Sequence, residues 1–233
     1  MAPHLSPRDN FIWLLMALVF LLFSGAMFAQ FESTQGQRLV NISLMITLLI
    51  AVWSLEQNQK GWMNFKLGAT LLIGGLMIGD TLLADNRLAF AQLVLAFCFM
   101  SLTTYQAWRQ VMFTGAIDGN KIIGAICIYI LLGVVWAFGY LIIEAIFPHS
   151  FNGLGHKLWQ ENLQEMIYYS MVTLTTLGYG DITPNAPIAR FMAYMESITG
   201  IFYTTVLVAS LIGIRLASYH PEETEEDKET IDN

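Results

Sequence analysis

Apolar residues run along this chain in long blocks, and polar residues are confined to short breaks between them. A helix needs about twenty apolar residues to cross the hydrocarbon core of a bilayer. Stretches of that order occupy Phe11–Phe31, Leu39–Leu55, Leu67–Ala84, Leu88–Trp108, Ile122–Phe147 and Ile188–Ala217. They predict six membrane-spanning helices. The third is the weakest, being short and ending at Asp80, and its Gly75 and Gly79 have the small-xxx-small spacing of helix packing. Between the fifth and sixth blocks, Leu163–Thr175 contains no Gly or Pro, and Glu161 and Glu165 lie near its start, where a helix dipole favours acids. That pattern predicts a further, shorter helix.

An even number of spans puts both termini on one side. If that side is cytoplasmic, Arg8, Lys60, Lys66, Arg109, Lys121, Arg215 and Lys228 lie inside, and Arg38, Arg87, Lys157 and Arg190 lie outside. The excess inside fits the positive-inside tendency. Arg8, the apolar core after it and the small residues Ser24, Gly25 and Ala26 imitate a secretory signal. Because the uncharged stretch continues to Phe31, a retained first helix is expected.

Composition supports the membrane reading independently. Of 233 residues, 55% are hydrophobic and 12% charged, with mean hydropathy +0.54, which no water-soluble domain requires. The net charge of −7 comes mostly from Glu222, Glu223, Glu225, Glu226, Asp227, Glu229 and Asp232. Residues 218–233 therefore read as a solvated, disordered cytoplasmic tail on a nearly neutral body. No nucleotide-binding fingerprint follows the sixth block, and no serine, cysteine or acidic constellation reads as an active site. The chain is expected to be no enzyme, to need no cofactor and to bind no nucleic acid. Cys98 and Cys127 sit within the fourth and fifth blocks and are expected to be buried free thiols. His149 and His156 lie with Glu144 and Lys157 in the loop before the short helix, where they could confer sensitivity to external protons.

The run Thr173-Leu-Thr-Thr-Leu-Gly-Tyr-Gly-Asp-Ile-Thr-Pro184 follows that helix. Gly178 and Gly180 flank Tyr179 and accept the positive φ that bulky residues avoid, so alternate residues can take opposite hands. Successive carbonyls then turn to one axis, which an ordinary strand does not allow. These residues resemble the selectivity filter and outer mouth of the tetrameric potassium channel family, whose carbonyl rings replace the water shell of the ion. The resemblance implies potassium sites formed by Thr176, Leu177, Gly178 and Tyr179, with Gly180 completing the filter. It implies that Tyr179 braces the filter from behind and that Asp181 stands just outside it. The family usually has Val or Ile where this chain has Leu177, and often a Trp pair at Tyr168 and Tyr169. Some relatives also carry a buried glutamate, where this chain has Val172, to hold the outer aspartate.

At motif level the resemblance covers roughly Ile122–Ala217. It implies an all-α fold of six transmembrane helices with a re-entrant pore helix and filter. One filter strand per chain cannot close a ring, so a homotetramer in contact with membrane lipid is expected. The division is a four-helix region over 1–120, a pore domain over 121–217 and the tail over 218–233. In the family, a glycine about twenty residues past the filter serves as the gating hinge of the inner helix, and Gly200 holds that place. For Gly200 alone, a small residue admitting helix packing is the other reading. Glu196, four residues earlier on nearly the same face, is the acidic residue inside the sixth block, whose Arg190 and Arg215 lie near its two ends. It is expected either to attract cations in the cavity or to hydrogen-bond the pore helix as a neutral acid. Voltage-gated relatives repeat Arg or Lys along the fourth helix, whereas Leu88–Trp108 has neither and is bounded by Arg87 and Arg109. The expectation is passive potassium conduction across a bacterial-type inner membrane with little voltage dependence. The alternatives are a weakly selective cation channel and a potassium transporter subunit.

Overall fold

The computed structural model describes residues 10–29, 46–47, 50, 68–75, 86–113, 119–155 and 158–217. Nearly all of the second apolar block, part of the third, His156, Lys157 and the acidic tail lie outside the described residues. Among the described residues, the helices whose bounds are defined are α1 (Asn10–Ala29), α2 (Asn86–Phe113), α3 (Gly119–Ile146), α4 (Trp159–Leu174) and α5 (Pro187–Ala217). They lie in the first, fourth, fifth and sixth apolar blocks, with α4 as the short helix between the last two. At 1.5 Å per residue the 20 residues of α1 span about 30 Å, close to the thickness of a bilayer core. Among the described residues, Arg87–Met112 and Asn120–Ile146 are long and apolar enough to cross a membrane.

Helix α3 is central, packing against α1, α2, α4 and α5. Its Ile128, Leu131 and Phe138 meet Leu14 and Leu18 of α1, Leu93 and Met100 of α2, and Leu163 and Met166 of α4 in one core. The outer surface is also apolar: Trp13, Phe23, Leu71 and Phe202 are all exposed. A contiguous apolar exterior is costly in water, and suits lipid or neighbouring subunits. Cys127 is buried beside the Phe11 carbonyl, but Cys98 is exposed on this outer surface rather than buried as expected.

Helix α4 begins four residues before the expected Leu163. Its N-cap is Leu158, which supplies no side-chain acceptor, and the start is fixed instead by packing. There the Trp159 indole Nε1 donates to the Ala89 carbonyl of α2 at 2.8 Å. The loops on either side of α4 are joined by a two-residue antiparallel ribbon, β1 (Phe151–Asn152) with β2 (Thr183–Pro184), pairing Phe151 with Pro184 and Asn152 with Thr183. Glu144 supports the corner before it by accepting the amides of His149 and Ser150, each at 2.9 Å. The amide of Asn185 then donates to the Ser150 carbonyl at 2.7 Å. The C-terminal end of the 175–182 connection is therefore anchored to the loop that precedes α4.

Candidate functional site

The connection from α4 to β2 is an irregular backbone with an ordered pattern of hand. Positive φ occurs at Thr176 (59°), Gly178 (58°) and Gly180 (81°), while Leu177 and Tyr179 between them stay on the ordinary side. Alternation of this kind turns successive carbonyls to one side. Thr176 was not singled out for this conformation by the sequence, because a β-branched residue at positive φ is a steric outlier. Such strain persists only where surrounding structure holds it. The holding bonds use amides: Thr176 N–H donates to the Thr173 carbonyl at 2.9 Å, and the Leu177 and Gly178 amides share the Val172 carbonyl at 2.9 and 3.3 Å. Among the described residues, none of the carbonyls from Thr176 to Gly180 accepts a hydrogen bond. A chain of unpaired carbonyl dipoles at the C-terminal, partially negative end of α4 is a place for a cation.

Space does not restrict the glycines within one subunit. A Cβ on Gly178 or Gly180 would meet nothing within 4 Å, so the requirement there is conformational. Tyr179 and Leu177 are likewise exposed, at 67% and 56%, and contact with a neighbouring chain would be needed to cover them.

The outer end is set by Tyr168 and Asp181. The Tyr168 hydroxyl donates to the Asp181 carboxylate, and this bond, assisted by the Asp181 and Ile182 amides, holds the carboxyl below its ordinary range. The same bond pushes the Tyr168 hydroxyl up. Tyr168 thus contacts the aspartate directly, where the sequence offered Val172 without a polar group.

Behind the segment, α5 is laid along α4 through three consecutive contacts. Glu196 is fully buried, with its Oε1 2.5 Å from Ser170 Oγ of α4 and its Oε2 2.5 Å from the Tyr140 hydroxyl of α3. Ser197 Oγ donates to the Thr173 carbonyl at 3.1 Å. Gly200 lies against the end of α4 so closely that a Cβ would stand 2.0 Å from the Leu174 carbonyl oxygen. Helix α5 runs unbroken through Gly200. Tyr140, Tyr169 and Phe151 form an edge-to-face cluster beside Glu196, with ring centroids 5.1–5.5 Å apart. Neither Tyr140 nor Ser170 was singled out from the sequence as a partner of Glu196. Nothing short of the tertiary register of three helices identifies them.

Residues 125–215 match the family of proteins described as ion channels. The chain is 30% identical over 106 residues to two-pore potassium channel 1 of Arabidopsis thaliana, covering 46% of this chain and 25% of that protein. It is 30% identical over 88 residues to a voltage-gated potassium channel of Aeropyrum pernix, covering 38% and 26%. Protein LctB of Geobacillus stearothermophilus is 33% identical over 87 residues, covering 35% of this chain and 61% of that one. The chain thus spans about a quarter of the length of the first two relatives. No solved structure matches it at comparable significance. Over its C-terminal part the chain is therefore similar to ion channels, and at low identity to proteins named as potassium channels.

Proposed function

We propose that four copies of this chain form a potassium-selective channel conducting K+ passively across a cell membrane, by analogy an inner membrane, with both termini cytoplasmic. The observation that carries the reading is the alternating hand of Thr176 to Gly180 together with carbonyls that accept no hydrogen bond among the described residues. Rings of such carbonyls replace the hydration shell of K+ and line its path. The potassium channels named among the relatives support the choice of ion. Thr176, Leu177, Gly178 and Tyr179 supply the ion sites, Asp181 marks the outer mouth, and Gly200 seats the inner helix on the pore helix. The absence of Arg or Lys within the fourth apolar block supports weak dependence on voltage.

The test is single-channel recording from purified protein in a bilayer under opposed K+ and Na+ gradients. Current should reverse near the K+ equilibrium potential. Reversal midway between the two equilibrium potentials would replace this reading with that of a weakly selective cation channel, the alternative favoured by Leu177 at a position where the filter usually holds a β-branched residue.

A further inference from the structure

The buried polar cluster behind the filter carries more hydrogen-bond contacts than an ionised Glu196 could satisfy. Ser170 Oγ lies 2.5 Å from Glu196 Oε1 and 2.6 Å from the Gly133 carbonyl oxygen of α3, while the Tyr140 hydroxyl lies 2.5 Å from Oε2. Every one of these separations is a hydrogen-bond length for O–H donors. A serine hydroxyl has one hydrogen, and both a backbone carbonyl and an ionised carboxylate can only accept. If Glu196 were ionised, Ser170 would serve one acceptor and face the other with lone pair against lone pair. If the acid carries its proton on Oε1, that proton goes to Ser170 Oγ, the Ser170 hydrogen goes to the Gly133 carbonyl, and the Tyr140 hydrogen goes to Oε2. Every close contact then holds one hydrogen.

The surroundings agree with that count. Glu196 has 0% exposure, and the polar atoms on its carboxyl among the described residues are those two hydroxyls. Among the described residues, the titratable groups facing it are Tyr129 and Tyr140 from α3 and Tyr169 from α4, with no Lys, Arg or His. An isolated buried carboxylate with no cation is expensive, and neutralisation is the usual escape. A neutral acid in the same place makes only favourable bonds.

We infer that Glu196 is held as a neutral carboxylic acid and acts as a hydrogen-bond donor, fastening α4 to α5 and α3 and so positioning the filter at the end of α4. Its positioning role rests on the channel reading above; its protonation does not. Glutamine reproduces the same bond count, with its amide donating to Ser170 and its carbonyl accepting from Tyr140. Leucine matches the volume approximately and makes neither bond.

The experiment has two arms, both on the full-length protein reconstituted in lipid. The first is an infrared difference spectrum between wild type and Glu196→Gln from about pH 5 to about pH 9. The carbonyl stretch of a protonated carboxylic acid should be present in wild type throughout and lost in the variant; a carboxylate band in its place would overturn the inference. The second arm measures K+ and Na+ fluxes. Glu196→Leu should lower the K+/Na+ permeability ratio by on the order of tenfold or more, since both of its hydrogen bonds are lost, and Glu196→Gln should restore it. A glutamine variant as defective as the leucine variant would overturn the positioning role. If Glu196→Leu fails to assemble, Ser170→Ala carries the same expectation, and wild-type selectivity in Ser170→Ala would equally overturn that role. Failure of the wild type itself to pass K+ would count against the channel reading, and with it the positioning role, while the infrared arm still decides the protonation.

Discussion

Replacing Gly200 by alanine separates two accounts of this residue, hinge and seat. The new Cβ would begin 2.0 Å from the Leu174 carbonyl oxygen, where ordinary contacts begin at 3.4 Å, so α5 must retreat from α4 by about 1.4 Å. The atom it strikes is rigid backbone at the last residue of α4, which also accepts the Tyr129 hydroxyl at 3.3 Å, so no side chain can swing aside. Overpacking of this kind costs about 1–3 kcal/mol, and alanine returns about 1 kcal/mol of helix propensity. The net loss is about 1 kcal/mol per subunit, repeated in every copy of an assembly and applied two residues before Thr176. Gly139 provides the control, because a Cβ there meets nothing closer than Met192 Cε at 3.5 Å, and alanine should be neutral or stabilising by up to about 1 kcal/mol. The assays are the dissociation temperature of the purified oligomer and the reversal potential under a K+/Na+ gradient. Gly200→Ala should lower both the dissociation temperature and K+ selectivity, whereas Gly139→Ala should lower neither. On the hinge account, alanine alters open probability and leaves assembly intact. An oligomer of Gly200→Ala as stable as that of Gly139→Ala, with wild-type reversal, would refute the seat.

Gly178→Ala places an L-residue at φ 58°, at about 1–2 kcal/mol per subunit from the backbone alone, and should abolish selective conduction; retained selectivity would remove the filter assignment. Tyr168→Phe should release Asp181 toward its ordinary value of 3.8. Because the folded value is depressed, the ionised carboxylate contributes above the ordinary value and is lost as pH falls through the lower, folded one. The variant should consequently lose unitary K+ current at a higher external pH than wild type, and an identical acid titration of current would show that the bond is without effect. Gating should depend weakly on voltage, since one charge crossing the field is worth about 2.3 kcal/mol per 100 mV and α2 has Arg87 and Arg109 only near the ends of the fourth apolar block. Open probability measured in symmetric K+ between strongly negative and strongly positive potentials should show this, and more than about four gating charges per tetramer would contradict it.

The long helices were legible because each apolar block ends at a polar break, so that Ile122–Phe147 anticipates α3 to within a few residues. The start of α4 was not, since its N-cap is Leu158 and no Ser, Thr, Asp or Asn marks the turn. Gly178 and Gly180 announced their conformation by being glycines. Thr176 gave no sign, because a threonine reaches positive φ only under constraint from the bonds around it. The partners of Glu196 come from 26 and 56 residues away, and local pattern carries no information about which turns of three helices will meet. Tyr168 was visible in sequence only as a departure from the usual Trp, and its bond to Asp181 required the backbone to fold back over α4.

Residues 175–181 are exposed along their whole length in the single subunit, although their backbone is irregular. Irregular backbone is tolerated at membrane depth only when protein covers it or water fills the space beside it. In the proposed tetramer the other three copies provide that cover, so ordering of this segment and association of the chains become one equilibrium. Diluting the protein in lipid should therefore loosen the segment before any helix melts. A substitution far away, on the lateral faces where chains meet, would then silence the pore without altering a single filter residue, and raising expression would restore it.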